Sequence, residues 1–327
     1  MAVRTLEQPT RWAIFNPQPS TLNAFMNIAY LISAHTDAPQ LKRLVEALHS
    51  DAHFFIHIDR KSDITPFQAA LQRDNVHFLQ DRIDVRWGTI LEVEYQMALI
   101  KAVIEHPITF NRIFFLSGMD YPLWSNAHIT EWLEKQGDKE ILCGICMDTP
   151  LLSKQQHDLY SQARPFFHFG WLSNKSNERL SIACRKIKAS LGMRKPLSFQ
   201  VGDQLWHLYK GSAWWCISQQ LATYIYQTYM NEPAIRHYFI DSFGQAETLI
   251  QTIAFNTPEW ASRCILHEGK YPGLAALTPL HYILYEPVIK VMDETDHTTL
   301  MASGKMFARK FISGKSDKLV EILESRV

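Results

Sequence analysis

The sequence predicts an α/β fold, a mostly parallel sheet with helices on both faces. Two observations carry it: short apolar runs with no helical stripe, and amphipathic segments of 3.6-residue period that alternate with them along the first half of the chain. Residues 27–34 are the first such run, read as a buried strand. Thr36 or Asp37 can cap the helix that follows, and Pro39 suits its first turn. Leu41, Leu44, Val45 and Leu48 then recur at i, i+3, i+4 and i+7, one face of a helix. Residues 54–59 and 76–79 read as the next strands. Val93, Met97, Ile100 and Ile104 mark a helix, residues 112–117 a strand, and Ile129, Trp132 and Leu133 another helix. Residues 140–147 form one more buried strand. From about Thr149 the pattern loosens. Loop-like stretches at 150–175 and 192–205 flank a helix over 177–191. A strand over 207–217, helices over 219–230 and 245–256, and a terminal helix from Asp317 complete the chain.

Composition narrows the function classes. The 327 residues suit one large α/β domain or two small ones with a substantial core. Lys plus Arg and Asp plus Glu both number 33, so the formal net charge is zero. That balance lacks the basic excess needed for counterion-release binding, and nucleic acid is excluded as an expected partner. Five Cys indicate no disulfide framework. Cys143 and Cys146 form one CxxC without a second Cys or His pair at zinc spacing, and fit two cysteines on a buried strand. No apolar window is long enough for a transmembrane helix, and the N-terminus has no charged-then-apolar signal. The expected location is cytoplasmic, with contact to a membrane surface left open. Residues 1–25, polar and Pro-rich, read as an extension ahead of a single domain over 26–327.

In open α/β sheets ligands sit beyond the carboxyl ends of the strands. The residues to inspect are therefore His35, Asp59 with Arg60 and Lys61, and the stretch from Ser117 to Tyr121. This rule locates a site and gives it no chemistry.

Six segments add specificity: Ala29-Tyr-Leu-Ile-Ser-Ala-His35, Ile56-His-Ile-Asp-Arg-Lys-Ser62, Leu116-Ser-Gly-Met-Asp-Tyr-Pro-Leu123, Lys210-Gly-Ser-Ala-Trp-Trp215, the segment around Glu247, and Met306-Phe-Ala-Arg-Lys-Phe311. In this order, over residues 27–312, they resemble the core-2/I-branching N-acetylglucosaminyltransferase family, which includes the peptide O-xylosyltransferases. The resemblance implies a GT-A, Rossmann-like fold, with residues 26–148 as the nucleotide-sugar half and 149–327 as the acceptor and catalytic half. It also implies inverting transfer from a UDP-sugar to a carbohydrate hydroxyl, with no metal and no other cofactor. The residues agree on the metal: no two Asp stand two apart, so no Asp-x-Asp clamp for Mn²⁺ or Mg²⁺ is present.

The chain instead has His57-Ile-Asp59, where Asp59 either accepts hydrogen bonds from a ribose or base or caps the turn. By resemblance, Glu247 is the general base, Lys310 steadies the departing diphosphate, and Arg309 beside it is first an ion-pair partner. A carboxylate within hydrogen-bond reach of the acceptor hydroxyl suffices for the first task. A fixed cation suits the second. A position at a helix N-terminus would favour the ionised form of Glu247. His281 stands where relatives often carry an arginine, and would replace it against the diphosphate with a weaker, pH-dependent charge. Asp120 either binds donor-sugar hydroxyls or orders its turn, and Gly118 lets the backbone approach a ligand. Trp214 and Trp215, read on a strand, face opposite sides, one toward the acceptor and one toward the core. The aromatic loop from Arg164 to Trp171 is expected to wall the acceptor site. Two other classes stand beside this reading. One is a catalytically weak sugar-binding relative; the other is a glycoside hydrolase, which needs a second carboxylate that the sequence does not reveal.

Overall fold

The computed structural model describes residues 26–167, 169, 171–285 and 288–325; the extension read at 1–25 lies outside them. Thirteen strands are described: β1 Ile28–Ala34, β2 His53–Ile58, β3 Val76–Phe78, β4 Arg112–Ser117, β5 Asp120–Pro122, β6 Cys143–Cys146, β7 Ser198–Val201, β8 Gln204–His207, β9 Tyr209–Lys210, β10 Cys216–Ile217, β11 Ile265–His267, β12 His281–Ile283 and β13 Phe307–Arg309. The central sheet has the order β10-β4-β1-β2-β3. β4, β1, β2 and β3 run parallel, and β10 closes the edge antiparallel to β4.

Alternate residues of these strands feed two separate cores, as a pleat of period two requires. Ala29, Leu31, Phe55, Ile113 and Phe115 pack with the helices Leu91–Ile104 and Gln219–Asn231. Tyr30, Ile32, Phe54, Ile56, Phe114 and Leu116 face the other way, against Ala38–Ala47 and Asn126–Gln136. Helices therefore cover both faces, and the apolar runs with no polar alternation are explained by burial on both sides. Asp37 caps the first of these helices by accepting the Gln40 amide, with Pro39 in its first turn.

A second sheet, β12-β13-β5, packs against the C-terminal helix Asp317–Glu324 through Tyr121, Leu123, Phe311, Leu319 and Val320. Two expected elements differ. The strand read over 207–217 is broken: β9 joins β6 and β11 in a third sheet, whereas β10 belongs to the central one. The chain crosses between the sheets at Gly211, where a Cβ would lie 2.0 Å from the Cys143 carbonyl oxygen, so close packing forbids a side chain. The helix read over 245–256 splits into a 3-10 turn at Gln245–Glu247 and an α-helix at Leu249–Phe255. Cys143 is buried on its strand and its thiol is pushed up to about 12 by burial, which makes it inert. Among the described residues, no helix is long and apolar enough to cross a membrane.

Candidate active site

Parallel strands aim their carboxyl ends at one edge, and β1 lies between β4 and β2, where the connections leave in opposite directions. A cavity of about 540 Å³ opens there. Ser33, Ala34 and His35 from the end of β1, Asp59 after β2 and Ser117 from β4 line its floor; Trp87, Gly88 and Glu92 come from the loop and helix that follow β3; Trp214, Gly244, Glu247, Tyr285 and Arg309 come from the second half of the chain. A larger cavity, about 780 Å³, lies beside Arg43, Tyr121 and Trp124, away from these strand ends.

Glu247 sits on the 3-10 turn and is only partly exposed. The expected helix N-terminus does not stabilise it, because the α-helix begins two residues later. Its Oε2 is instead held by the ammonium group of Lys210, whose side chain is 4% exposed. The Gly211 amide donates to the Glu247 carbonyl at 2.8 Å, which ties the chain just after β9 to the turn. Among the described residues no hydrogen bond is made by Oε1, and Glu247 lines the cavity.

Asp120 is fully buried and lies behind the cavity wall. Its Oδ2 accepts from the Ser117 amide at 2.7 Å and from Trp214 Nε1 and His281 Nε2, each at 3.1 Å; its Oδ1 accepts from Arg309 at 3.1 Å. Burial opposes ionisation, yet His281, Arg309 and the Ser117 amide together hold the carboxyl below its ordinary range. Burial dominates at His281 and lowers its pKa, so it is a neutral donor here. Arg309 also stacks its guanidinium 5.4 Å from the Trp214 ring centroid and lines the cavity, its buried Nε without a protein partner among the described residues.

Of the residues singled out from the sequence, the fold gathers His35, Asp59, Trp214, Glu247 and Arg309 around one space. Lys310 does not line it, although its charge reaches His35, which does. Burial, reinforced by Arg309, Lys310 and Lys61 and opposed by Asp59, lowers the His35 pKa. Asp59 is paired with Lys61 at 3.0 Å, and Lys61 also holds Asp84 at 2.7 Å.

The remaining expectations are corrected. His57 is buried, its Nε2 accepts the Ile83 amide at 2.9 Å, and burial pushes its pKa down to about 4, so it is a structural acceptor. Asp120 cannot bind donor hydroxyls, since protein donors surround it. His281 is closed off by Asp120 and by Phe307, stacked 5.1 Å away, and cannot meet a diphosphate. Trp215 is core, stacked on Phe115 at 5.4 Å, so only Trp214 can face an acceptor. Gly118 serves packing rather than ligand approach, because a Cβ there would come within 2.7 Å of the Ala34 Cβ. Trp171 is 80% exposed and does not line the cavity, and His168 and Gly170 of its loop lie outside the described residues. Arg164 and Phe166 of the same loop line an adjoining groove of about 560 Å³ that shares Trp87 and Gly88 with the cavity.

The core-2/I-branching enzyme profile matches residues 28–272 of this chain. The chain belongs to the core-2/I-branching enzyme family. It is 25% identical over 257 residues to xylosyltransferase 2 of Rattus norvegicus, covering 76% of this chain and 27% of that protein. For xylosyltransferase 2 of Homo sapiens the figures are 25% over 241 residues, 71% and 25%. The chain thus spans about a quarter of the length of these curated relatives. Among solved structures, the 4-diphosphocytidyl-2C-methyl-D-erythritol synthase of Anaerococcus prevotii DSM 20548 overlaps 85% of this chain and 95% of its own, at 12% identity and a TM-score of 0.38, too remote to bear on the fold.

The match to the core-2/I-branching enzyme profile ends before Arg309 and Lys310, so the cationic end of the site is placed by the fold. Four lining or supporting residues escaped the sequence reading. Lys210 stood inside a quoted motif, yet nothing in its neighbours showed that it would be buried against Glu247. Trp87-Gly88 had one readable signal, a large aromatic beside glycine in the polar loop ahead of a helix. Glu92 looked like an ordinary first-turn acid of that helix. In the fold it accepts the Gly88 amide at 2.7 Å and faces the cavity. Burial, with the Gly88 bond opposing and the charge of Glu247 adding, raises its pKa to about 7.

Proposed function

We propose that this chain is an inverting glycosyltransferase that moves a sugar from a UDP-sugar, with GlcNAc or xylose as the first candidates, to a hydroxyl of a glycan acceptor. The observation that carries the reading is the shared cavity of Glu247 and Arg309 at the carboxyl ends of the parallel strands. Glu247, oriented by Lys210, takes the proton of the acceptor hydroxyl through its free oxygen. The acceptor oxygen bonds to the anomeric carbon from the face opposite the bond that breaks, and the electron pair of that bond leaves with the UDP. Arg309 lies where it can meet the growing negative charge, with the charge of Lys310 acting from outside the cavity lining; one such donor contributes on the order of 3 kcal/mol.

Metal independence belongs to the same proposal. The position of a metal-binding Asp pair holds a buried neutral His57 and an Asp59 whose charge Lys61 already balances, a poor pair of ligands for a hard divalent cation. Trp214 and the adjoining groove beside Trp87, Arg164 and Phe166 offer the acceptor an apolar surface with charged edges.

Glu247→Gln tests the base. It should lower the transfer rate by about 10²-fold or more while leaving the thermal stabilisation by UDP intact. Undiminished transfer would overturn the assignment. One observation favours a second reading, glycoside hydrolysis: besides the Lys61-paired Asp59, Glu92 supplies a carboxylate in the cavity that no cation pairs among the described residues. Family membership weighs against it, and sugar release that an acceptor glycan fails to suppress would favour it. Thermal shifts with UDP-GlcNAc and UDP-xylose, with other nucleotide sugars as controls, separate the donors.

A further inference from the structure

At the opposite edge of the central sheet, three histidines from three elements converge. His53 opens β2, His77 is the middle residue of β3, and His106 lies just beyond the helix Leu91–Ile104. One ring nitrogen of each falls within 4.8 Å of the others, and all three side chains are partly exposed. His53 Nδ1 and His77 Nε2 point at each other across 3.0 Å. The rings of His53 and His77 lie 4.8 Å and 5.0 Å from that of His106. Phe55 and Phe110 pack edge-on beneath them and fix the side on which the nitrogens gather.

We propose that His53, His77 and His106 form a binding site for a divalent first-row transition metal such as zinc, separate from the catalytic cavity. Imidazole nitrogens suit zinc, copper and nickel far better than calcium or magnesium. Two nitrogens bound to one zinc at about 2.0 Å lie roughly 3.3 Å apart in a tetrahedron, close to the spacing already present between His53 and His77. His106 must approach by a side-chain adjustment, and its partial exposure permits that. The fourth position falls to solvent, which all three residues touch.

The facing nitrogens of His53 and His77 share one proton across 3.0 Å. Tautomers adjust without net proton release at this pair: the proton shared between His53 and His77 moves to an outward nitrogen when the metal takes its place. At His106, Nδ1 accepts the Ile108 amide at 3.2 Å, a contact that a metal on Nε2 would displace because Nδ1 would then carry the proton.

The site is at the amino end of β2, whereas Asp59 and the cavity lie beyond its carboxyl end, about 17 Å away along the strand. A metal here ties the edge pair β2–β3 to the helix Leu91–Ile104, the helix that carries Glu92 into the cavity. Its effect is mechanical, and the site stands whether or not the proposed transfer chemistry does.

Tag-free full-length chain, stripped with EDTA and dialysed, is titrated with zinc sulfate by calorimetry and by thermal unfolding. The expected result is one zinc per chain with a raised Tm. His77→Asn and His106→Asn should each weaken zinc binding at least the roughly tenfold that loss of a mere supporting residue costs. The exposed His237, outside the cluster, serves as the control, and His237→Asn should change nothing. Co²⁺ titration gives a readout independent of stability, since its visible d–d bands should appear in the wild type and vanish in both variants. Absence of stoichiometric binding, or zinc and cobalt binding unchanged in both variants, overturns the proposal.

Discussion

Glu247 and Glu92 both face the cavity, and their surroundings treat them differently. Glu247 is anchored by the buried ammonium of Lys210, whereas among the described residues no cation pairs with Glu92, which accepts a backbone amide. Burial is the main cause of the raised Glu92 pKa, about 7 in the folded chain against an ordinary value of 4.5. The native state therefore holds this proton more tightly than the unfolded chain. That stabilisation is complete below pH 4.5 and is lost as pH rises through about 7. Glu92→Gln, which cannot ionise, should raise the Tm relative to wild type at pH 8 and change it little at pH 4.5. An equal Tm difference at both pH values, measured by calorimetry, would count against a buried, mostly protonated Glu92. Below pH 7 the protonated carboxyl offers a sugar both a donor and an acceptor. The sequence singled out Glu247 through a motif. It gave no hint of Glu92, because a first-turn acid on a helix looks the same in sequence whether it faces water or a cavity.

At the scale of elements, Asp120 joins pieces distant in the chain. It belongs to β5, pairs with Arg309 of β13, accepts from His281 of β12 and from Trp214, and so fixes the small sheet against the carboxyl end of β4. Asp120→Asn would leave Arg309 largely buried without its counter-charge. Breaking such a pair from one side costs about 3 kcal/mol or more. Urea unfolding should show a lower midpoint with an unchanged slope, and the loosened Arg309 should also weaken UDP binding. A midpoint within error of wild type would show that the network is not structural. Sequence reasoning treated Asp120, His281 and Arg309 as separate candidates around a ligand. Their hydrogen bonds to one another are long-range contacts, and no local pattern encodes them. By contrast, the helices Ala38–Ala47 and Leu91–Ile104 were readable, since cap, proline and apolar spacing are local features. The strand read over 207–217 failed because no local signal marks the change of sheet at Gly211.

Over the whole molecule, the parallel order β4-β1-β2-β3 gathers loop ends from both halves of the chain at one edge, and chain direction alone decides which edge. Arg309, with Lys310 behind it, stands in for a metal in the proposed mechanism. Transfer should therefore persist in excess EDTA, even as zinc stripped from the histidine cluster lowers the Tm. Loss of transfer that Mn²⁺ restores would refute metal independence. By itself the sequence determined the α/β class, the central strands, the strand ends that line the cavity and the family, because local periodicity and short motifs carry that information. Only the tertiary structure decided which polar residues face the cavity and which hold it together. Burial and charge pairing depend on neighbours brought close by the fold: Lys210 reaches Glu247, and Asp120 takes His281 and Arg309, across separations that no sequence window spans.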